Sequence, residues 1–251
     1  EVKYFKFTAE RDGVYTFSSA TMRFDVLNSN RRVIAANVDC GDAFIVAGQS
    51  SYVRMQYAGS SNVRFGTLTV AQKDTVSGGF DGVIPDGNVG AWYPVAVAKS
   101  GRYDFKADGG VVLRLKDGGG REFMSGGQSA FLDAGVYYMF ASRRGDELSG
   151  AVAFSVAVEF KPTPMTANRV YTAYRDASFV FVAPVSGDYV LSGYSADYSV
   201  TVNDEPYGGG KLRMTGGEPY EITLRSNGEI GTSVQINFAP TVEQPVGFNT
   251  E

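Results

Sequence analysis

Gly101-Arg102-Tyr103-Asp104-Phe105 decides the fold, because the chain spells it three times. It appears first as Gly13-Val14-Tyr15-Thr16-Phe17 and last as Gly187-Asp188-Tyr189-Val190-Leu191. Gly13 and Gly101 lie 88 positions apart, and Gly101 and Gly187 lie 86 apart. Each copy follows a short run, Phe7-Thr8-Ala9, Val97-Ala98-Lys99 or Val182-Ala183-Pro184. Residues two apart on an extended strand share a face, so the tyrosine and the next apolar residue but one enter the same core. The glycine that opens each copy is expected to make a turn, where φ is free to be positive.

A second landmark keeps step with the first. Ala47-Gly48-Gln49-Ser50-Ser51-Tyr52, Ala134-Gly135-Val136-Tyr137 and Gly216-Gly217-Glu218-Pro219-Tyr220 are spaced by 87 and 82 positions, counted between Gly48, Gly135 and Gly217. Between the landmarks lie Phe24-Asp25-Val26-Leu27, Val111-Val112-Leu113-Arg114-Leu115 and Tyr198-Ser199-Val200-Thr201-Val202. These runs end in the turn residues Asn28-Ser29-Asn30, Asp117-Gly118-Gly119-Gly120 and Asn203-Asp204-Glu205-Pro206. A closing strand is expected over 63–70, 151–160 and 233–238.

Two landmarks repeating in order mark a repeat architecture. The pattern predicts an all-β chain of three tandem antiparallel β-sandwich, jelly-roll-like domains, over 1–72, 89–161 and 168–241. Residues 72–91 and 161–176 read as linkers, the second stiffened by Pro162 and Pro164. The tail 241–251 is expected to fray or to lead to a further domain. Laid end to end, three such domains would extend on the order of 100 Å.

Composition narrows the chemistry. The chain has 251 residues, 43% of them hydrophobic, with a net charge of −4. That balance lacks the basic footprint of a nucleic-acid binder. Histidine is missing, which removes the commonest general base and metal ligand and makes a Ser-His-Asp triad impossible. The lone Cys40 can form neither an intrachain disulfide nor a multi-thiolate zinc site, and reads as a small buried apolar residue. Nucleophile-elbow, P-loop and dinucleotide fingerprints do not occur. Paired-carboxylate catalysis stays open, because any two of 27 acids can meet in space. No apolar run approaches the roughly 18 residues of a spanning helix. The opening Glu1-Val2-Lys3-Tyr4-Phe5-Lys6-Phe7 already alternates like a strand. The chain is therefore read as a mature or trimmed segment of an exported protein.

The order Gly-x-Tyr-x-Phe, an apolar strand ending in an Asp/Asn/Gly turn, then Ala-Gly-x-Tyr-Tyr resembles the bacterial pre-peptidase C-terminal domain. The second copy is nearest, through Gly101 to Phe105 and Ala134-Gly135-Val136-Tyr137-Tyr138. The resemblance implies a jelly-roll-like sandwich appended to a secreted or surface protein. It also implies binding of collagen or glycans in some relatives, often with calcium near an N-terminal linker. The Asp-Leu-Asp-Leu type strand of that family is matched only weakly, by Asp25-Val26-Leu27.

Calcium is the one cofactor the residues suggest, and none is required. Hard cations want several oxygens on a loop, and the first linker offers Asp81, Asp86 and Asn88. Asn37, Asp39 and Asp42 form a second cluster. All six residues are Asp or Asn, which also suit turns unaided. Trp92 and Tyr93 are the candidate ligand-binding pair, either as a stacking platform for a sugar or as packing against a neighbouring domain. Arg31-Arg32 and Arg143-Arg144 read as solvated turn charges.

The function expected is a non-catalytic stalk or adhesin segment of a secreted or cell-surface bacterial protein, monomeric and without membrane insertion. The alternative is a carbohydrate- or matrix-protein-binding module, possibly ancillary to a secreted hydrolase. The partners in view are a polysaccharide, a host matrix protein or other domains of the parent protein.

Overall fold

A computed structural model describes residues 2–56, 67–125, 129–145, 148–173, 175–228 and 231–239. The described chain is strand, turn and loop, without a helix. The expected strand over 63–70 falls partly, and the tail 241–251 wholly, outside the described residues.

The strands form six sheets, which enclose three apolar clusters. The first cluster lies between sheets β1-β6-β3-β4 and β5-β2-β7. These are built from β1 (Val2–Thr8), β2 (Gly13–Ser18), β3 (Phe24–Leu27), β4 (Val33–Val38), β5 (Cys40–Ile45), β6 (Ser50–Gln56) and β7 (Thr69–Gln72). The second lies between β13-β12-β15-β10-β8 and β14-β11-β16-β9. Its strands are β8 (Val76–Ser77), β9 (Phe80–Ile84), β10 (Gly90–Val97), β11 (Gly101–Ala107), β12 (Val111–Lys116), β13 (Glu122–Ser125), β14 (Ser129–Leu132), β15 (Gly135–Arg143) and β16 (Val152–Phe160). The third lies between β17-β19-β24-β21-β22 and β18-β25-β20-β23. Its strands are β17 (Thr163–Met165), β18 (Val170–Ala173), β19 (Ala177–Val182), β20 (Gly187–Ser192), β21 (Tyr198–Val202), β22 (Glu205–Pro206), β23 (Leu212–Met214), β24 (Pro219–Ser226) and β25 (Thr232–Phe238). The long ladders are antiparallel, whereas β8 on β10 and β17 on β19 are parallel. The chain divides into two compact units. Residues 1–99 and 103–160 form the first, which holds the first two sheet pairs, and 100–102 with 161 onward form the second.

The repeated glycines open β2, β11 and β20. Two residues on, Tyr15, Tyr103 and Tyr189 are buried, and Phe17, Phe105 and Leu191 follow them into the cores. Burying each such side chain contributes about 1.5–3 kcal/mol. A buried phenol needs a partner for its hydroxyl, and all three find the same one. Tyr15 donates to the Arg11 carbonyl at 2.9 Å, Tyr103 to that of Lys99 at 2.8 Å and Tyr189 to that of Val185 at 2.9 Å. Each phenol thus clamps the turn that leads into its own strand.

Two of the three opening glycines do a different job from the one expected, whereas Gly101 has a positive φ of 153°. Gly13 and Gly187 are not in the left-handed region. At Gly187 an added Cβ would lie 2.4 Å from the Phe238 ring, so the residue is glycine because an aromatic covers it. In the second landmark Gly48 at φ 77° and Gly217 at φ 84° are left-handed. Asn203 and Asp204 both take positive φ between β21 and β22, the signature of a tight two-residue hairpin.

The stretches 72–91 and 161–176, expected as linkers, are corrected by the structure. Both contain strands, β8, β9 and the start of β10 in one, β17 and β18 in the other. Short edge strands need only a few ladder bonds and one or two inward anchors, and here Ile84 is 0% and Met165 4% exposed.

Candidate functional site

The first and second sheet pairs meet over the outer face of sheet β5-β2-β7. Alternation along β5 turns Gly41, Ala43 and Ile45 inward and leaves Cys40, Asp42 and Phe44 on the other side. Phe44 packs on Trp92 of β10 at 5.6 Å and on Tyr138 of β15 at 4.3 Å between ring centroids. Trp92 also packs on its cross-strand neighbour Phe140 at 4.9 Å. Four aromatic rings therefore interleave where two sheets face each other.

A buried carboxylate lies beside them. Asp42 accepts from Thr16 Oγ1 at 2.7 Å, Lys73 Nζ at 2.8 Å and, at longer range, the Trp92 backbone N–H at 3.3 Å. Its side chain is only 7% exposed, so this network is what keeps a charge tolerable there. Lys73 also places its ammonium 3.9 Å from the centre of the Tyr93 ring, a cation–π contact. Burial foremost, then Asp42 and Asp39, push the Cys40 thiol up against the opposing pull of Lys73. That direction favours the neutral thiol over the thiolate.

The expected cation cluster is not gathered. Asn88 is buried and donates from Nδ2 to the Cys40 carbonyl at 2.9 Å and to the Asp86 carbonyl at 3.3 Å. Asp86 accepts from the Gly150 backbone N–H at 2.7 Å. Asp81 stands exposed on β9. The spacing of these residues is that of a strand followed by a braced turn, which leaves Asp81 on the strand and Asp86 and Asn88 in the turn. In the second cluster Asn37 takes φ 52° and donates its backbone N–H to the Asp25 carboxylate, while Asp42 serves the junction. No group of three His, Cys, Asp or Glu able to hold a metal occurs among the described residues.

Trp92 and Tyr93 are both committed to packing. Tyr93 is 7% exposed, donates to the Val83 carbonyl at 3.0 Å and accepts from the Val83 N–H at 2.9 Å. Its ring lies on Phe80 at 5.0 Å and against Phe154 at 5.7 Å.

Two residues in this region went unrecognised in the sequence. Lys73 gave no signal, since its partner lies 31 positions earlier on another strand. Arg143, read as a solvated charge, braces the 85–88 turn. Its Nε donates to the Asn88 carbonyl at 2.8 Å, and its Nη2 donates to Pro85 at 3.1 Å and also to Gly150.

One open concavity of about 720 Å³ is lined by Asp81, Gly82, Val83, Tyr93, Asp108, Ala153, Phe154 and Ser155. Asp108 accepts from the Ser155 backbone N–H at 2.6 Å and from its hydroxyl at 2.8 Å. Those two hydrogen bonds, the backbone one foremost, hold the Asp108 carboxyl below the usual carboxylate range. A smaller cavity of about 120 Å³ lies in the second unit, beside the Asn203 turn. What the concavity presents to solvent is carboxylate and strand edge over an apolar floor, chemistry suited to hydrogen bonding.

No protein-family model matches the chain, and no curated protein matches it. Several solved structures align with it, among them the following three. A conserved protein of unknown function from Pseudomonas aeruginosa is 12% identical, over 65% of this chain and 90% of that one, with a TM-score of 0.22. A protein of triple jelly roll fold from the turret assembly of an archaeal virus is 9% identical, over 93% and 80%, with a TM-score of 0.24. Lac15 from a marine microbial metagenome is 10% identical, over 95% and 86%, with a TM-score of 0.21. At TM-scores this low, none of the three carries an argument about this chain.

Proposed function

We propose that the chain is a non-catalytic structural or adhesive segment of a secreted or cell-surface bacterial protein, spacing or displaying other parts of that protein. The observation that carries this reading is the junction around Asp42, Lys73, Trp92 and Tyr93. The groups best suited to binding or chemistry are spent on joining two sandwiches, an arrangement that favours transmitting position over turning over a substrate. The test is binding of the purified chain to immobilised collagens, glycans and bacterial cell walls, with calcium and with chelator. The spacer reading expects silence across the panel.

A second reading, a carbohydrate- or matrix-binding module, is favoured by the concavity at Asp81 and Asp108. It expects saturable binding that Asp81→Ala weakens at least tenfold, about 1.4 kcal/mol. Loss of that binding on chelation would bring calcium back as a cofactor at Asp81. Binding that ignores Asp81 would remove the concavity from consideration.

A further inference from the structure

The chain leaves β24 through Ser226-Asn227-Gly228, the one place in the sequence where glycine follows asparagine. That order is chemically reactive. The backbone nitrogen of the next residue can attack an asparagine side-chain amide, and a Cβ on that residue is the usual obstacle. Gly228 has none, and a Cβ built there would meet nothing within 4 Å among the described residues. Asn227 and Gly228 are both exposed, so water reaches them.

The fold holds the backbone around this pair. Asn227 N–H donates to the Asp197 carbonyl at 2.8 Å, and Ser226 N–H donates to Asp176 Oδ1 at 2.8 Å. Gly228 N–H, on the nitrogen that has to attack, donates to Ser226 Oγ at 3.1 Å, and the same hydroxyl donates to the Gly228 carbonyl. Serine makes such local contacts with the backbone readily. Here the contact draws the proton away from the attacking nitrogen.

The Asn227 side chain makes no hydrogen bond among the described residues. Four other asparagines are tied. Asn28 Oδ1 accepts from the Asn30 and Arg32 N–H groups, and Asn203 Oδ1 accepts from that of Glu221. Asn88 and Asn237 donate through Nδ2 to the Cys40 carbonyl and to Ser192 Oγ. Each of these four is also followed by a residue that bears a side chain.

We infer that Asn227 is a self-modifying site, which deamidates through Gly228 in the folded protein with Ser226 assisting. The Gly228 nitrogen bonds to Asn227 Cγ, the Cγ–Nδ2 bond breaks, and the proton of the attacking nitrogen leaves with the amide as ammonia. The resulting succinimide takes up one water. Opening at the side-chain carbonyl leaves aspartate at position 227. Opening at the main-chain carbonyl leaves isoaspartate, which adds a methylene to the backbone. The reaction balances without an oxidant, a metal or a second protein. Either product adds a negative charge to a turn whose backbone already contacts Asp176 and Asp197. Isoaspartate also lengthens the chain at the residue bonded to Asp197, and so loosens the tie between this turn and the one before β21. The inference is independent of the proposed function.

The test is incubation of the purified full chain at mildly alkaline pH, folded and in urea. Conversion is followed by peptide mass spectrometry, and isoaspartate is detected with an isoaspartyl methyltransferase. The folded wild type is expected to convert at position 227. Gly228→Ala should slow this roughly tenfold by placing a Cβ beside the attacking nitrogen. Gly228 lies outside the left-handed region, so alanine is accommodated there. Ser226→Ala should slow conversion of the folded chain and leave the rate in urea unchanged, a split that local sequence alone would not produce. Far-UV circular dichroism checks that both variants stay folded. A folded chain that stays unmodified at position 227 while the unfolded chain converts overturns the inference. So does Gly228→Ala converting at the wild-type rate, which would mean direct hydrolysis, or folded Ser226→Ala doing so.

Discussion

Removing one oxygen from Tyr189 tests the clamp that recurs in all three sandwiches. Tyr189→Phe keeps the buried ring and deletes the donor to the Val185 carbonyl. The expected loss is about 1 kcal/mol, read as a lower urea midpoint, whereas Tyr189→Ala should lose about 3–5 kcal/mol through the cavity it opens. The ring was legible in the sequence because alternation marks an inward position. The hydroxyl's partner was not, since a carbonyl four residues back is fixed by the turn rather than by residue type. Gly187 shows the same limit. Its repeat was plain, but whether glycine serves φ or a close aromatic depends on Phe238, which lies on another strand. Asp108 offers a pH test at the same scale. Its carboxyl is depressed in the folded chain, so its contribution is present above the unfolded value, near pH 4, and is lost as pH falls through the lower folded one. Denaturation midpoints measured from neutral to about pH 2 should therefore fall more steeply for the wild type than for Asp108→Asn. Equal slopes would remove Ser155 as the source of the effect.

The short strands are where the sequence was least informative. β2, β11 and β20, and the middle strands β3, β12 and β21, were legible because each alternates over four or more residues and ends in a turn signal. β8, β9, β17 and β18 were read as linkers because Ser77-Gly78-Gly79 and Pro162-Thr163-Pro164 carry turn chemistry in the same few residues that form the ladder. Pairing with a distant strand overrides local propensity there. Ile84→Ala separates the two readings. In a linker the change would be close to neutral, whereas at a fully buried edge-strand anchor it should cost about 2–4 kcal/mol, measured by chemical denaturation. The candidate site followed the same logic. Trp92 and Tyr93 were legible as a pair, and Asn88 as a polar turn residue. Their partners Phe44, Lys73 and Cys40 came together only through the meeting of two sheet pairs.

Burial of Asp42 links the two sandwiches of the first unit, so their stabilities should be coupled. Asp42→Ala would leave Lys73 and Thr16 without their shared acceptor. The expected cost is about 2–3 kcal/mol, below that of a fully buried pair because Lys73 keeps 27% of its side-chain exposure. Trp92, the single tryptophan, sits in this junction and reports on it without labelling. In the wild type its fluorescence and the sheet signal of the first unit should be lost together, as expected when two cores share one interface and unfold cooperatively. In Asp42→Ala, and more strongly in Phe44→Ala, Trp92 should become solvent-exposed at lower denaturant than the cores melt, so that the two probes separate. Coincident probes in both variants would mean that the aromatic and ionic contacts at the junction contribute nothing to the coupling. The first unit would then be two sandwiches in contact rather than one cooperative body.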